Sequence, residues 1–86
     1  MIKEGKDCFY IGNIDNPDAE IHFIDEGNIT IDHTYVSEKL RGQGIAALLL
    51  EKVVEYARQN NKKIIPICSY AKEKLAKEEY KDLVIG

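Results

Sequence analysis

Val36-Ser37-Glu38-Lys39-Leu40-Arg41-Gly42-Gln43-Gly44-Ile45-Ala46 is the stretch that decides the reading of this chain. Before it, Asn28 to Val36 alternates β-branched and polar residues and reads as the longest strand. Ile29, Ile31, His33 and Tyr35 fall on one face, and Thr30, Asp32, Thr34 and Val36 on the other. After it, Ile45, Leu49, Val53 and Tyr56 recur at helical spacing with Ala46, Leu50 and Ala57 beside them, so a helix is predicted from about Gly44 to Asn60. The stretch is therefore a strand-to-helix junction. At such a junction the first helical N–H groups have no partner inside the helix, and the helix dipole favours an anion. Gly42 and Gly44 let the backbone bend tightly and come close to a ligand, Ala46 keeps the first turn narrow, and Arg41 adds a donor fork that suits phosphate. These features make a credible diphosphate cradle. A glycine-rich helix start with no ligand remains the alternative.

Outward from the junction, Asp7 to Ile11 reads as a short strand and Asn13 to Asp18 as a cluster of turn formers. Glu20 to Asp25 reads as a second strand, and Glu26-Gly27-Asn28 as a hairpin turn. Beyond the helix, Asn60-Asn61 is a plausible stop, Lys63 to Cys68 an apolar run of strand length, and Tyr70 to Glu79 a second, more charged helix. A tail from Tyr80 to Gly86 is expected to pack through Leu83 and Val84. The predicted order is β-β-β-α-β-α, an α+β (α/β-like) fold in which an antiparallel meander feeds one parallel crossover strand.

The bulk properties bound the function. With 86 residues the chain is expected to be one domain, residues 1–86. A net charge of −3 argues against a nucleic-acid surface, and Lys62, Lys63, Lys72, Lys74 and Lys77 read as solvated faces. No apolar run approaches the roughly 20 residues that cross a bilayer, and the start lacks the apolar segment of a signal peptide, so a cytoplasmic protein is expected. There Cys8 and Cys68 should be thiols, and without CxxC spacing they make a poor zinc site; no metal is expected. The loop lacks the Lys-Ser or Lys-Thr of a P-loop, and no acidic ribose ligand follows as a dinucleotide fingerprint needs.

Arg41-x-x-Gly44-x-Ala46 resembles the Arg/Gln-x-x-Gly-x-Gly/Ala motif of GNAT acetyltransferases. The wider set His33-Thr34-Tyr35-Val36, Leu40 to Ala46, Pro66-x-Cys68 and Tyr80-x-Asp82-Leu83-Val84 is similar to their minimal, stand-alone Yjdj-type subfamily. The resemblance spans about residues 7 to 85 and implies a minimal GNAT fold. It implies acetyl-CoA or coenzyme A as acyl donor, its pyrophosphate on Arg41, Gly42, Gln43, Gly44, Ile45 and Ala46, and transfer of acetyl to an amine, protein-borne or small. The pantetheine arm is then expected to run past Thr34, Tyr35 and Val36 on one side and Ser69 on the other, beyond the ends of the parallel strands. Larger members carry helices between their first two strands. Here only Asn13 to Ala19 lies there, so the acceptor site is expected to be open or completed by a partner. Glu often stands where this chain has Tyr35, which removes one candidate base.

Three residues are catalytic candidates. Cys68 could carry the acetyl group as a thioester if a base or helix end favours its thiolate, or it could be a small core residue. His33 could serve as base for the amine or for Cys68, since imidazole titrates near neutral pH; on a face with Ile29 and Ile31 it could equally be a core histidine. Tyr70, like Tyr35, could donate a proton to the departing CoA sulfur or simply pack. His22 and Cys8 read as structural. The alternative function is a non-catalytic CoA-binding or regulatory module. A monomer is expected, or a weak dimer paired through an edge strand at Asp7–Ile11.

Overall fold

The computed structural model describes residues 2–85. Its centre is a mixed sheet of five strands in the order β1-β2-β3-β4-β5: Lys3–Gly5, Cys8–Asn13, Asn16–Glu26, Asn28–Val36 and Ile64–Pro66. Consecutive strands pair antiparallel until β4, which pairs parallel with β5 across the helix α1, Ile45–Gln59. A short helix α2, Ser69–Lys74, and 3-10 turns at Glu38–Leu40 and Glu78–Tyr80 complete the chain. This is the meander and parallel crossover of the sequence reading, with one strand more.

The added strand is β1, which pairs Lys3 to Gly5 with Tyr10 to Cys8. Its short polar segment has no apolar alternation to betray it. It takes the sheet edge that Asp7–Ile11 was expected to hold, so that segment is no free pairing edge. The turn formers Asn13 to Asp18 contract to a tight hairpin in which Asn13 faces Asn16 across Ile14-Asp15, with the Asp15 amide donating to Asn13 Oδ1 at 2.9 Å. The strand expected over Lys63 to Cys68 is cut to three residues, because Pro66 has no N–H to continue a ladder. The Ile67 and Cys68 amides instead both donate to the Ile31 carbonyl, at 3.0 and 3.1 Å, as the chain turns into α2. That helix stops at Lys74 rather than Glu79: only Ala71 and Leu75 along it reach the core, and the charged residues beyond gain nothing by staying helical.

Leu49, Leu50, Val53, Val54 and Ala57 of α1 bury against Ala19, Ile21, Phe23, Ile29 and Ile31 on one face of the sheet, and Ala71, Leu75 and Leu83 join the same cluster. Leu83 and Val84 do pack: Val84 bridges to Ile64, whose amide donates to the Leu83 carbonyl at 2.8 Å. Among the described residues, the other face of the sheet carries no helix.

The register of β4 differs from simple alternation. His22 faces His33, but Phe23 faces Ile31, so Asp32 is an extra residue in a β-bulge. The bulge inverts the parity of everything after it. Ile29, Ile31, Thr34 and Val36 share the helix-covered face, while Thr30, His33 and Tyr35 lie on the open one. Strict alternation had placed His33 and Tyr35 with Ile29 and Ile31; the inserted residue is the reason that fails.

At the far end of the sheet, Asp25 accepts from Tyr56 Oη at 2.6 Å and from Lys62 Nζ at 2.7 Å, tying the β3–β4 hairpin to the end of α1. These bonds, Lys62 first and then Tyr56, hold the Asp25 carboxyl below its usual range. A depressed carboxylate contributes stability above its unfolded pKa, and that contribution disappears as pH falls through the folded value. Asp25→Asn should therefore lower the melting temperature at pH 7, and its deficit should shrink as the pH drops below about 4. A deficit that stays constant between pH 7 and pH 2 in thermal melts would contradict this role.

Candidate functional site

The end of β4 and the start of α1 are held by a short, well-bonded loop. Asp18 anchors it: its carbonyl accepts the Ser37 amide at 2.8 Å, and its carboxylate meets Lys39 at 3.4 Å. Arg41 Nε donates back to the Val36 carbonyl at 3.1 Å, which fixes where the guanidinium stands. The backbone then passes through Gly42 at φ 82° and Gly44 at φ 73°, both left-handed. A Cβ at either glycine would meet nothing within 4 Å, so backbone conformation rather than crowding calls for glycine here.

Gly44 is the N-cap of α1 and offers no capping side chain. The first amide to bond back within the helix is that of Leu48, to the Gly44 carbonyl at 3.2 Å. The Ile45, Ala46 and Ala47 amides therefore have no helical partner, and they open at the positive end of a 15-residue helix. They face a cleft of about 470 Å³ lined by Val36, Leu40, Arg41, Gly42, Gly44, Ile45, Ala46 and Ala47 on one side and Tyr70, Lys74 and Lys77 on the other.

Lys74 and Lys77, read from sequence as solvated charge, line this cleft. Spacing held a usable signal: Tyr70 and Lys74 are four apart on one helix, and Lys74 Nζ stands 5.9 Å from the Tyr70 ring centroid. Leu40 and Ala47 are further wall residues. Gln43 is exposed on the loop, its amide donating to the Lys39 carbonyl at 3.4 Å, and Ser69 opens α2 in an exposed position. Neither lines the cleft wall.

Cys68 is the N-cap of α2. Its sulfur accepts the Ala71 amide at 3.4 Å and lies 3.4 Å from Thr34 Oγ1. The bulge at Asp32 makes this contact possible, since it turns Thr34 toward the helices. The same inversion separates the residues expected to work together: His33 and Tyr35 are on the opposite face from Thr34 and Cys68, and His33 faces His22. Tyr70 is on the Cys68 side. Burial first, then the nearby Cys68 and Glu73, pushes its phenol above the usual tyrosine range, so it stays protonated. Cys8 is buried on β2, two strands across the sheet from β4, and burial together with Glu20 pushes its thiol up. Both cysteines are free. No group of three or more His, Cys, Asp or Glu among the described residues is placed to hold a metal ion, and no described helix is long and apolar enough to cross a membrane.

Comparison with known proteins adds three findings. The family described as GCN5-related N-acetyl-transferase matches residues 8–83. An uncharacterized N-acetyltransferase of Methanocaldococcus jannaschii is 35% identical over 78 residues, which is 90% of this chain. The chain spans 30% of the length of that relative. The NMR solution structure of a GCN5-like protein from Staphylococcus aureus superimposes with a TM-score of 0.81 at 50% identity, covering 100% of this chain and 88% of the other.

The left-handed backbone at the head of α1 makes its own prediction. Gly44→Ala should destabilise the protein by about 1–2 kcal/mol in denaturant melts, because a Cβ is strained at that φ although space is free. An unchanged midpoint would mean that the loop relaxes without penalty.

Proposed function

Because the chain belongs to the GCN5-related N-acetyltransferase family, we propose that it transfers acetyl from acetyl-CoA to an amine, with an acetyl-Cys68 intermediate. The observation that carries this reading is the cleft at the head of α1. It combines free helical amides, two left-handed glycines and the Arg41 guanidinium with Lys74 and Lys77 across the gap. A diphosphate there would accept hydrogen bonds from the Ile45, Ala46 and Ala47 amides and from the Arg41 nitrogens not engaged with Val36. Lys74 and Lys77 add positive charge for a further phosphate. The CoA molecule as a whole is polyanionic, and the cleft is basic in a chain whose net charge is −3.

The arm of the cofactor would leave this cradle along Val36 toward Thr34 and Cys68. Cys68 Sγ accepts the Ala71 amide and lies against Thr34 Oγ1, and its thiolate is the form that attacks. Attack on the acetyl carbonyl forms the Cys68 thioester and breaks the bond to the CoA sulfur, which leaves as thiolate. Tyr70, kept protonated, would return a proton to it. The amine then takes the acetyl group from Cys68.

Two measurements test this. Arg41→Glu should weaken CoA binding by about 10- to 100-fold in calorimetry, the loss expected for charged hydrogen bonds to a phosphate. Absence of binding to the unaltered protein at millimolar CoA would sink the proposal. Mass spectrometry after incubation with acetyl-CoA should find one acetyl group on Cys68. Undiminished turnover in Cys68→Ala would rule out the thioester and leave direct attack by the amine.

A further inference from the structure

Two cavities of this molecule are lined by cations, and they differ in how those cations are engaged. The smaller, about 340 Å³ at the end of α1, holds Arg58, Lys62 and Lys63. Each has a partner: Arg58 meets Asp82 at 3.5 Å, Lys62 meets Asp25 at 2.7 Å, and Lys63 Nζ donates to the Asp82 carbonyl. That cavity is satisfied from within. The larger, about 470 Å³ at the head of α1, is not. Arg41 uses only its Nε on the Val36 carbonyl, and Lys74 and Lys77 form no ion pair among the described residues. The acids near them in sequence do not neutralise the cavity. Neither Glu73 nor Glu78 lines it, and Glu78 meets Lys81 at 3.7 Å.

The two walls of the larger cavity have the same polarity. They touch beyond one end of it, where Thr34 Oγ1 lies 3.4 Å from Cys68 Sγ. From Thr34 one wall runs through Val36 to Arg41 and the amides of α1. From Cys68 the other runs through Tyr70 to Lys74, about 6 Å further along the axis of α2, and then to Lys77. Sulfur stands at one end of both walls and cations at the other. The cations differ in kind. The amides and Arg41 are fixed by backbone and by the bond to Val36, whereas Lys74 and Lys77 carry ammonium groups on flexible stems. Lys74 Nζ is drawn to the Tyr70 ring, 5.9 Å from its centroid, which keeps it at the cavity wall.

We infer that Lys74 and Lys77 receive the 3′-phosphate of CoA, and that through them the protein selects CoA over dephospho-CoA. This inference rests on the acetyl-transfer reading above, which puts the diphosphate on Arg41 and the amides. CoA carries two kinds of phosphate. The diphosphate lies within the chain of the molecule, and each of its phosphorus atoms bears about one negative charge. The phosphate on the ribose 3′-oxygen is a terminal monoester with three free oxygens and a charge near −2 at neutral pH. Ordered amides and a guanidinium fork suit the first. Compact ammonium charges with rotatable donors suit the second, whose oxygens have no fixed rotation about the ester bond. The ribose follows directly on the diphosphate, so a molecule with its sulfur toward Cys68 and its diphosphate at Arg41 brings the monoester to the cation end of the cavity.

Calorimetry with CoA and dephospho-CoA, which differ only in that monoester, tests this. The unaltered protein should bind CoA about 10- to 100-fold more tightly, the range for charged hydrogen bonds to a phosphate. The double variant Lys74→Met/Lys77→Met, which keeps the length of the stems without their charge, should lose most of that preference. Lys74→Arg/Lys77→Arg should retain it. Equal affinity for the two ligands in the unaltered protein overturns the inference, and so does a preference that survives in the methionine variant. An equal loss of both ligands in that variant overturns it too, since the lysines would then act on the diphosphate. Each of these results leaves the diphosphate cradle standing, whereas failure of the unaltered protein to bind either ligand removes the reading beneath the inference.

Discussion

Three amides at the head of α1 have no partner in the helix, and the residue that could cap them is Gly44, which has no side chain to do so. Everything else in the fold aims those amides. Leu49, Val53 and Ala57 are fully buried against Ile21, Ile29 and Ile31, so the helix axis cannot pivot on the sheet without opening the core. β4 delivers the chain to the helix, and Asp18 and the Arg41–Val36 bond hold the connecting turn. The result is a rigid set of donors pointing at solvent, a geometry that an anion satisfies and that the chain itself leaves unsatisfied.

A second constraint is the single inserted residue in β4. Without Asp32, Thr34 would face the open side and could not touch Cys68; with it, the strand presents hydroxyl to sulfur on one face and a His–Asp pair on the other. One backbone irregularity thus gives the two faces of the sheet different chemistry. Arg41, Lys74 and Lys77 line the cleft, while β3 and β4 contain no lysine or arginine.

The sequence was most legible where physics is local and periodic. The β4–loop–α1 junction, the hairpin at Gly27 and the parallel crossover could all be read from alternation, helical spacing and glycine, and the family resemblance joined them into the observed fold. What escaped was what periodicity cannot express. Lys3–Gly5 is too short and too polar to announce a strand. A bulge has no local signature at Ile31-Asp32-His33, yet it moved His33 and Tyr35 to the other face. Lys74 and Lys77 read as solvated charge because the place where α2 packs depends on contacts distant in sequence. The contact between His22 and Asp32 escaped because the partner lies on the neighbouring strand, ten residues away.

The central claim is where an anionic cofactor sits, and amide chemical shifts during a CoA titration report it residue by residue. The account predicts the largest changes at the backbone amides of Gly42, Gly44, Ile45, Ala46 and Ala47, with the Arg41 guanidinium moving in step. Saturating changes confined to some other surface, with those amides still, would contradict it.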